Sequence, residues 1–83
     1  MKPPAQYVAL AERHWRDWLP RRVAELERTG RLQATLHEAA ERTMTDSEEL
    51  QRHFLQQGLT PSQAQQRAWE IVRERYLFLP PED

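Results

Sequence analysis

Apolar residues recur three and four positions apart along most of the chain, the spacing that places them on one face of an α-helix. Proline and glycine interrupt this pattern at a few points, and no segment of useful length alternates apolar and polar residues as a β-strand does. The sequence therefore predicts an all-α protein, a compact bundle of three to four helices. The predicted helices cover about residues 5–18, 20–29, 32–57 and 61–76, and an extended apolar tail follows the last one.

The first two predicted helices meet at Pro20. Proline has no amide hydrogen and would clash with the carbonyl of Arg16, so the chain either kinks sharply here or ends one helix and begins another with Pro20 in its first turn. Gly30 is the left-handed residue expected to end the second helix.

One long helix is predicted between the two glycines of the chain. Its inward stripe contains Leu32, Leu36, Ala39, Ala40, Thr43, Ser47, Leu50 and Phe54. The segment Thr45–Glu48 has the form of a capping box, so a break near Thr45 is the alternative. The continuous stripe favours a single helix, because Thr43 and Ser47 are small enough to allow close helix packing.

The last helix has the clearest start in the chain. Thr60 is a capping residue, Pro61 suits the first helical position, and Gln63 completes a capping box. The inward stripe is predicted to be Ala64, Ala68, Ile71 and Val72, with Trp69 on its shoulder. Pro80 favours an extended conformation for Leu79, so Leu77–Leu79 is expected to lie as an apolar strap across the bundle.

Length and composition limit the class of protein. The 83 residues fit one domain, and a chain this short buries only about 60 to 65% of its unfolded surface. It contains no cysteine, no run of apolar residues long enough to span a membrane and no apolar block near the N-terminus, which favours a cytoplasmic protein. Residues 1–31 carry seven basic and four acidic side chains (+3), and residues 32–83 carry five basic and nine acidic ones (−4). The small net charge disfavours generic nucleic-acid binding.

No pattern of residues indicates catalysis, a cofactor or a metal site. His37 and Glu41 lie one turn apart on a helix, but a zinc-protease motif requires a second histidine where this chain has Glu41. No serine or threonine lies in a nucleophile-elbow context, and the chain has no glycine-rich phosphate loop. We therefore expect a protein that is not an enzyme.

The segment from Glu48 to Val72 has the outline of a helix-turn-helix, because two helices flank a short turn with glycine. In that interpretation the candidate DNA-binding residues are Ser62, Gln63, Gln66 and Arg67. Glutamine can read adenine with two hydrogen bonds. Phe54 is larger than the small residue that the motif usually has four positions before the turn glycine, so an ordinary helical hairpin is the favoured interpretation.

A second candidate surface combines tryptophan and arginine near the end of the first helix. Trp15 and Trp18 are three positions apart and can lie near one face, and arginines flank them. The candidate partner-binding residues are Arg13, Trp15, Arg16, Trp18 and Arg22. Tryptophan and arginine are enriched in protein-binding hot spots. If either tryptophan is exposed, this patch is the expected contact surface.

Three segments carry a resemblance to a group of proteins: Trp18-Leu19-Pro20, residues 32–40, and the closing motif Arg75-Tyr76-Leu77-Phe78-Leu79-Pro80-Pro81-Glu82. In these segments the chain resembles small helical open reading frames of phages, prophages and integrative elements. The resemblance implies a short accessory protein or inhibitor, of the anti-defence or anti-CRISPR kind, that occupies a surface of a larger host or phage complex. We thus expect a non-catalytic protein-binding module, with a second copy of the chain as one partner to test and a helix-turn-helix DNA-binding regulator as the alternative.

Overall fold

The computed structural model describes residues 5–82, and these residues form four α-helices with no strand among them. The helices are α1 (Ala5–Trp18), α2 (Pro20–Arg28), α3 (Leu32–Gln56) and α4 (Pro61–Tyr76). The predicted all-α bundle and its helices are confirmed, with the ends of α2 and α3 one residue shorter than expected. The single long helix is also confirmed, because α3 continues through Thr45 without a break.

The two glycines end α2 and α3 in the same way. Gly30 and Gly58 have φ values of 71° and 96°, the left-handed region that glycine adopts without steric cost. After α2, the amide of Arg31 donates to the carbonyl of Leu26 at 2.8 Å. After α3, the amide of Leu59 donates to the carbonyl of Phe54 at 3.1 Å. Both are Schellman caps, which satisfy carbonyls that a helix end would otherwise leave unpaired.

The start of α4 contains the predicted capping box. Thr60 Oγ1 accepts from the amide of Gln63 at 3.2 Å, and Gln63 Oε1 accepts from the amide of Thr60 at 3.0 Å. Pro61 follows directly as the first helical residue. The turn between α3 and α4 is therefore held by local interactions at both of its ends.

The break between α1 and α2 lies at Leu19, whose φ of −130° and ψ of 52° leave the helical region. A following proline disfavours the helical conformation, which explains the position of this break. The side chain of Leu19 has no hydrogen-bond acceptor, so it cannot cap α2. The cap comes instead from Glu82, whose carboxylate oxygens accept from the amides of Arg21 and Arg22, each at 3.0 Å.

The core has two parts of different character. A cluster of large apolar side chains joins α1, α2, α3 and the end of the chain, and it contains Trp15, Leu19, Val23, Leu32, Leu36 and Leu77. Between α3 and α4 the buried residues are mostly small: Ala40, Thr43, Ser47, Ala64, Ala68 and Val72. Small side chains let two helix backbones approach closely, and α3 and α4 form the most extensive helix pair of the described residues. Ile71 was predicted on the inward stripe but is 39% exposed. The side chains that α4 buries at this level are those of Ala68 and Val72.

Residues 77–82 form the C-terminal tail. It leaves α4 through a turn, in which the amides of Leu77 and Phe78 both donate to the carbonyl of Arg73. Leu77 is completely buried, while Phe78 and Leu79 are half-buried. The predicted apolar strap is present, and it runs along α1 to the break at Leu19.

Candidate protein-binding surface

The two tryptophans of α1 lie in different environments. Trp15 is 1% exposed, and its indole Nε1 donates to the carbonyl of Leu77 at 2.9 Å. Trp18 is 52% exposed, the largest exposed fraction among the large apolar side chains of residues 5–82. Trp15 was expected as a partner-binding residue, and that expectation is wrong for its side chain, because a buried core residue cannot meet a partner. The expected contact surface required that one of the two tryptophans be exposed, and Trp18 is.

The expected arginines are exposed, and the contacts of Arg16 and Arg22 are with residues other than Trp18. Arg16 pairs with Glu12 at 2.8 Å and lies 3.6 Å from Glu27, and these carboxylates, Glu12 first, raise the pKa of Arg16 above its usual value. Arg22 stacks over the ring of Trp15, with its guanidinium carbon 5.5 Å from the ring centroid. Arg13 is exposed on α1. Of this set, Arg16 is tied to neighbouring carboxylates and Arg22 stacks on the buried Trp15.

Trp18 instead ends a continuous series of aromatic rings, which we call the aromatic face. Its members, in spatial order, are Tyr7, Trp69, Phe78, His14 and Trp18. The ring centroids of successive members are 5.6, 6.1, 5.2 and 6.5 Å apart. The first pair is stacked and the others are tilted or edge-on, which are the favoured geometries of aromatic pairs. The first four rings are half-buried, and Leu10, 37% exposed, lies on the same helix.

Three elements build the aromatic face. Tyr7, His14 and Trp18 come from α1, where spacings of seven and four residues place them on one side of the helix. Trp69 comes from α4, and Phe78 from the C-terminal tail. The tail holds Phe78 between His14 and Trp69 because its backbone is bound on both sides of that residue: Leu77 accepts from Trp15, and the carbonyl of Leu79 is 2.8 Å from His14 Nε2.

The sequence did not reveal the aromatic face as a unit. Phe78 was expected only as part of the apolar strap, and Trp69 only on the shoulder of the last helix's stripe. One signal was available, because Tyr7, His14 and Trp18 recur at helical spacing beside the stripe of Ala11 and Trp15. The contributions of Trp69 and Phe78 depend on contacts with residues more than fifty positions away, which no local pattern encodes.

The candidate DNA-binding residues lie at the start of α4, where all four are exposed. Gln63 is engaged in the capping box, and Gln66 Nε2 is 3.5 Å from Glu70 Oε1. Helices α3 and α4 pack against each other as an antiparallel hairpin.

Tyr76 donates its hydroxyl hydrogen to Asp46 Oδ2 at 2.8 Å. Each of these residues lies roughly 20 Å along its helix from the turn at Gly58. Helices crossing at the roughly 90–120° of a helix-turn-helix would hold them far apart. The hairpin therefore lacks the geometry of that motif, and DNA binding stays a prediction without structural support.

The histidines are dispersed, and among residues 5–82 no three histidine or carboxylate side chains are grouped as a metal site. His14 contacts the tail, His37 Nδ1 is 2.9 Å from the carbonyl of Gln33, and His53 packs on Phe54. The pairing of His37 with Glu41 thus gains no third ligand from the fold. Within the same residues, none of the helices is long and apolar enough to cross a membrane.

Comparison with known proteins gives no relative for this chain. No family model, curated protein or solved structure matches it. The resemblance to reading frames of mobile elements stays a prediction that is carried by the closing motif.

Proposed function

We propose that this protein is a non-catalytic binding module that acts by covering a surface of a larger protein, and that the aromatic face is its contact surface. The observation that carries the proposal is the half-exposed Trp18 at the end of five contiguous rings. The resemblance carried by the closing motif implies that the module is an inhibitor or accessory factor encoded by a mobile element. Its partner is then a host or phage assembly in the bacterial cytoplasm.

The geometry supports this proposal in energetic terms. Burying the exposed half of an indole removes on the order of 100 Å² of apolar surface from water, worth about 2.5 kcal/mol. A contribution of that size is typical of a binding hot spot. The rings behind Trp18 are already ordered by their mutual contacts, so little conformational entropy remains to be lost when a partner binds.

The acidic side of α3 is a weaker candidate for the contact. Glu41, Glu48 and Glu49 are exposed there, and Glu38 is paired with Arg42 at 3.0 Å. Burying such charges against a partner requires their removal from water, which offsets most of the attraction unless each finds a partner. The five side chains of the aromatic face include no carboxylate or guanidinium group, so covering them avoids most of this cost.

The proposal can be tested by comparing Trp18→Ser with Leu55→Ser. Leu55 is a matched control, since it is 45% exposed near the far end of α3. Each variant and the unaltered protein is immobilised in equal amounts and exposed to a lysate of a bacterial host, and bound proteins are quantified by mass spectrometry. We expect the partner to be retained by the unaltered protein and by Leu55→Ser, and to be reduced at least roughly tenfold by Trp18→Ser.

Several results would decide against the proposal. Circular dichroism first establishes that both variants remain folded. If no protein is retained in a Trp18-dependent manner, the aromatic face is not the contact. Light scattering over a range of concentrations detects self-association, which Trp18→Ser would abolish if the partner is a second copy of the chain. Salt-dependent binding to a DNA fragment that is lost in Arg67→Ala would favour the regulator instead.

A further inference from the structure

A second surface, which does not include Trp18, is a cleft of about 480 Å³ lined by residues of all four helices and of the C-terminal tail. Three arginines from three different helices line it: Arg22, Arg42 and Arg75. Trp15 and Tyr76 contribute to its floor, and Glu38 is the one carboxylate of its lining. Basic side chains therefore outnumber acidic ones in the lining of this cleft.

Arg22 is the best positioned of the three. Its guanidinium lies over the ring of Trp15, and its backbone amide is fixed by the carboxylate of Glu82. No carboxylate pairs with this guanidinium among residues 5–82. A stacked guanidinium is pre-organised, and its planar fork of donors matches the geometry of a carboxylate or phosphate group.

The other two arginines keep most of their donors available. Arg42 contacts Glu38 through Nη2 alone at 3.0 Å, and Arg75 contacts Asp46 through Nη1 alone at 3.3 Å. Each guanidinium has five N–H groups, so several remain for another acceptor. Asp46 is further engaged by the hydroxyl of Tyr76. The lining itself holds three arginines and one carboxylate, while Asp46 and Glu82 lie beside it, against Arg75 and the backbone of Arg22.

We propose that this cleft is a binding site for an oxyanion, a carboxylate or phosphate group held mainly by Arg22 and completed by Arg42 and Arg75. The proposal is independent of the aromatic face, because none of the five rings of that face lines the cleft. The bound group belongs to a small anionic ligand. Inorganic phosphate and citrate, used as separate probes, distinguish a phosphate ligand from a carboxylate ligand.

The test is a titration of the ¹⁵N-labelled protein with inorganic phosphate in one arm and citrate in the other. Ionic strength is held constant with sodium chloride, and backbone amide shifts are followed by NMR. We expect shifts confined to the helix segments around the three arginines, with dissociation constants in the millimolar range for at least one probe. A response to phosphate alone identifies a phosphate site, and a response to citrate alone identifies a carboxylate site.

Variants provide the decisive comparison. Arg22→Gln should weaken binding roughly fivefold, and Arg42→Gln, which leaves the stacking on Trp15 intact, should weaken it by a smaller factor. Arg13→Gln removes an exposed arginine outside the cleft and should leave the affinity unchanged. Glu38→Gln should tighten binding, because it removes the carboxylate that competes for Arg42. A purely structural role for these arginines would not produce that increase.

The proposal is overturned if sodium chloride alone reproduces the shifts, or if Arg13→Gln weakens binding as much as Arg22→Gln. It is equally overturned if Glu38→Gln leaves the affinity unchanged. Melting temperatures measured without ligand show whether each variant is folded. If Arg22→Gln does not fold, Arg42→Gln is compared with Arg13→Gln instead.

Discussion

Replacement of Glu82 by alanine is expected to destabilise a helix that begins about sixty residues earlier in the chain. The first four residues of α2 have no intrahelical partner for their amides, as at any helix start. Pro20 has no amide hydrogen, and the amide of Val23 donates to Leu19 at 3.0 Å. The two remaining amides donate to the carboxylate of Glu82. The amide of Glu82 also donates to the carbonyl of Trp18 at 2.9 Å. Glu82 therefore forms hydrogen bonds with the last residue of α1 and with the first turn of α2.

The size of the effect follows from these contacts. Loss of a capping side chain costs about 1 kcal/mol, and loss of a negative charge at a helix N-terminus costs about 0.3–1 kcal/mol more. The ion pair between Arg21 Nε and Glu82, at 3.6 Å, adds little because the arginine side chain is 77% exposed. We therefore expect Glu82→Ala to lower the free energy of unfolding by about 1.5 kcal/mol. In a domain of this size that corresponds to a decrease in melting temperature of roughly 6–12 °C.

Thermal and urea unfolding followed by circular dichroism would measure this difference. Glu49→Ala is the matched control, because Glu49 is exposed in the middle of α3, where substitution should change stability by no more than about 0.5 kcal/mol. Glu82→Gln keeps one acceptor oxygen but loses the charge, and it should fall between alanine and the unaltered protein. The reasoning is refuted if Glu82→Ala and Glu49→Ala unfold at the same urea concentration.

Two further substitutions test the tail and the α3–α4 pair. Phe78→Asp should lower the free energy of unfolding by about 3 kcal/mol, measured by urea unfolding, because it removes an aromatic ring from between His14 and Trp69 and leaves a charge there. Tyr76→Phe should cost roughly 1 kcal/mol at neutral pH through loss of the hydrogen bond to Asp46. That hydrogen bond, assisted by burial, raises the pKa of Tyr76, so the folded state holds the phenolic proton more tightly than the unfolded state. The stabilisation should be complete below about pH 10 and should decline as the pH rises through the folded-state pKa.

Each of these expectations has a contrary outcome. An unchanged unfolding transition in Phe78→Asp would mean that the tail does not pack on α1. For Tyr76, urea midpoints of the two proteins should converge as the solution becomes alkaline. A constant difference between them across that range would show that the phenolic proton is not the source of the stabilisation.

The helix boundaries are the part of the fold that could be predicted, and the reason is that their signals are local. Pro20, Gly30, Gly58 and Thr60 act through backbone geometry or hydrogen bonds that span at most five residues. The structure confirms each of them, including the capping box at Thr60. The continuity of α3 was also predictable, because its inward stripe extends without a gap past Thr45.

The candidate surfaces were predicted less well, and the two tryptophans of α1 show why. Helical phase places Trp15 and Trp18 about 60° apart, which is too close to separate inside from outside. Which of the two is buried depends on the path of the chain after Leu19 and on the tail, whose Leu77 packs on Trp15. Phase alone also placed Ile71 inside, since it could not anticipate that the buried residues of the α3–α4 interface are small side chains and Val72.

The sequence by itself determined an all-α bundle of three to four helices, their ends to within about a residue, and most of the apolar stripe of each, because these depend on neighbours within one or two turns. Tertiary structure alone decided that Glu82 caps α2, that five rings from α1, α4 and the tail form one face, and that three arginines share a cleft. Each of these joins residues that are tens of positions apart. Such contacts arise only when packing of the whole core brings the elements together, and it is on them that both proposed binding sites depend.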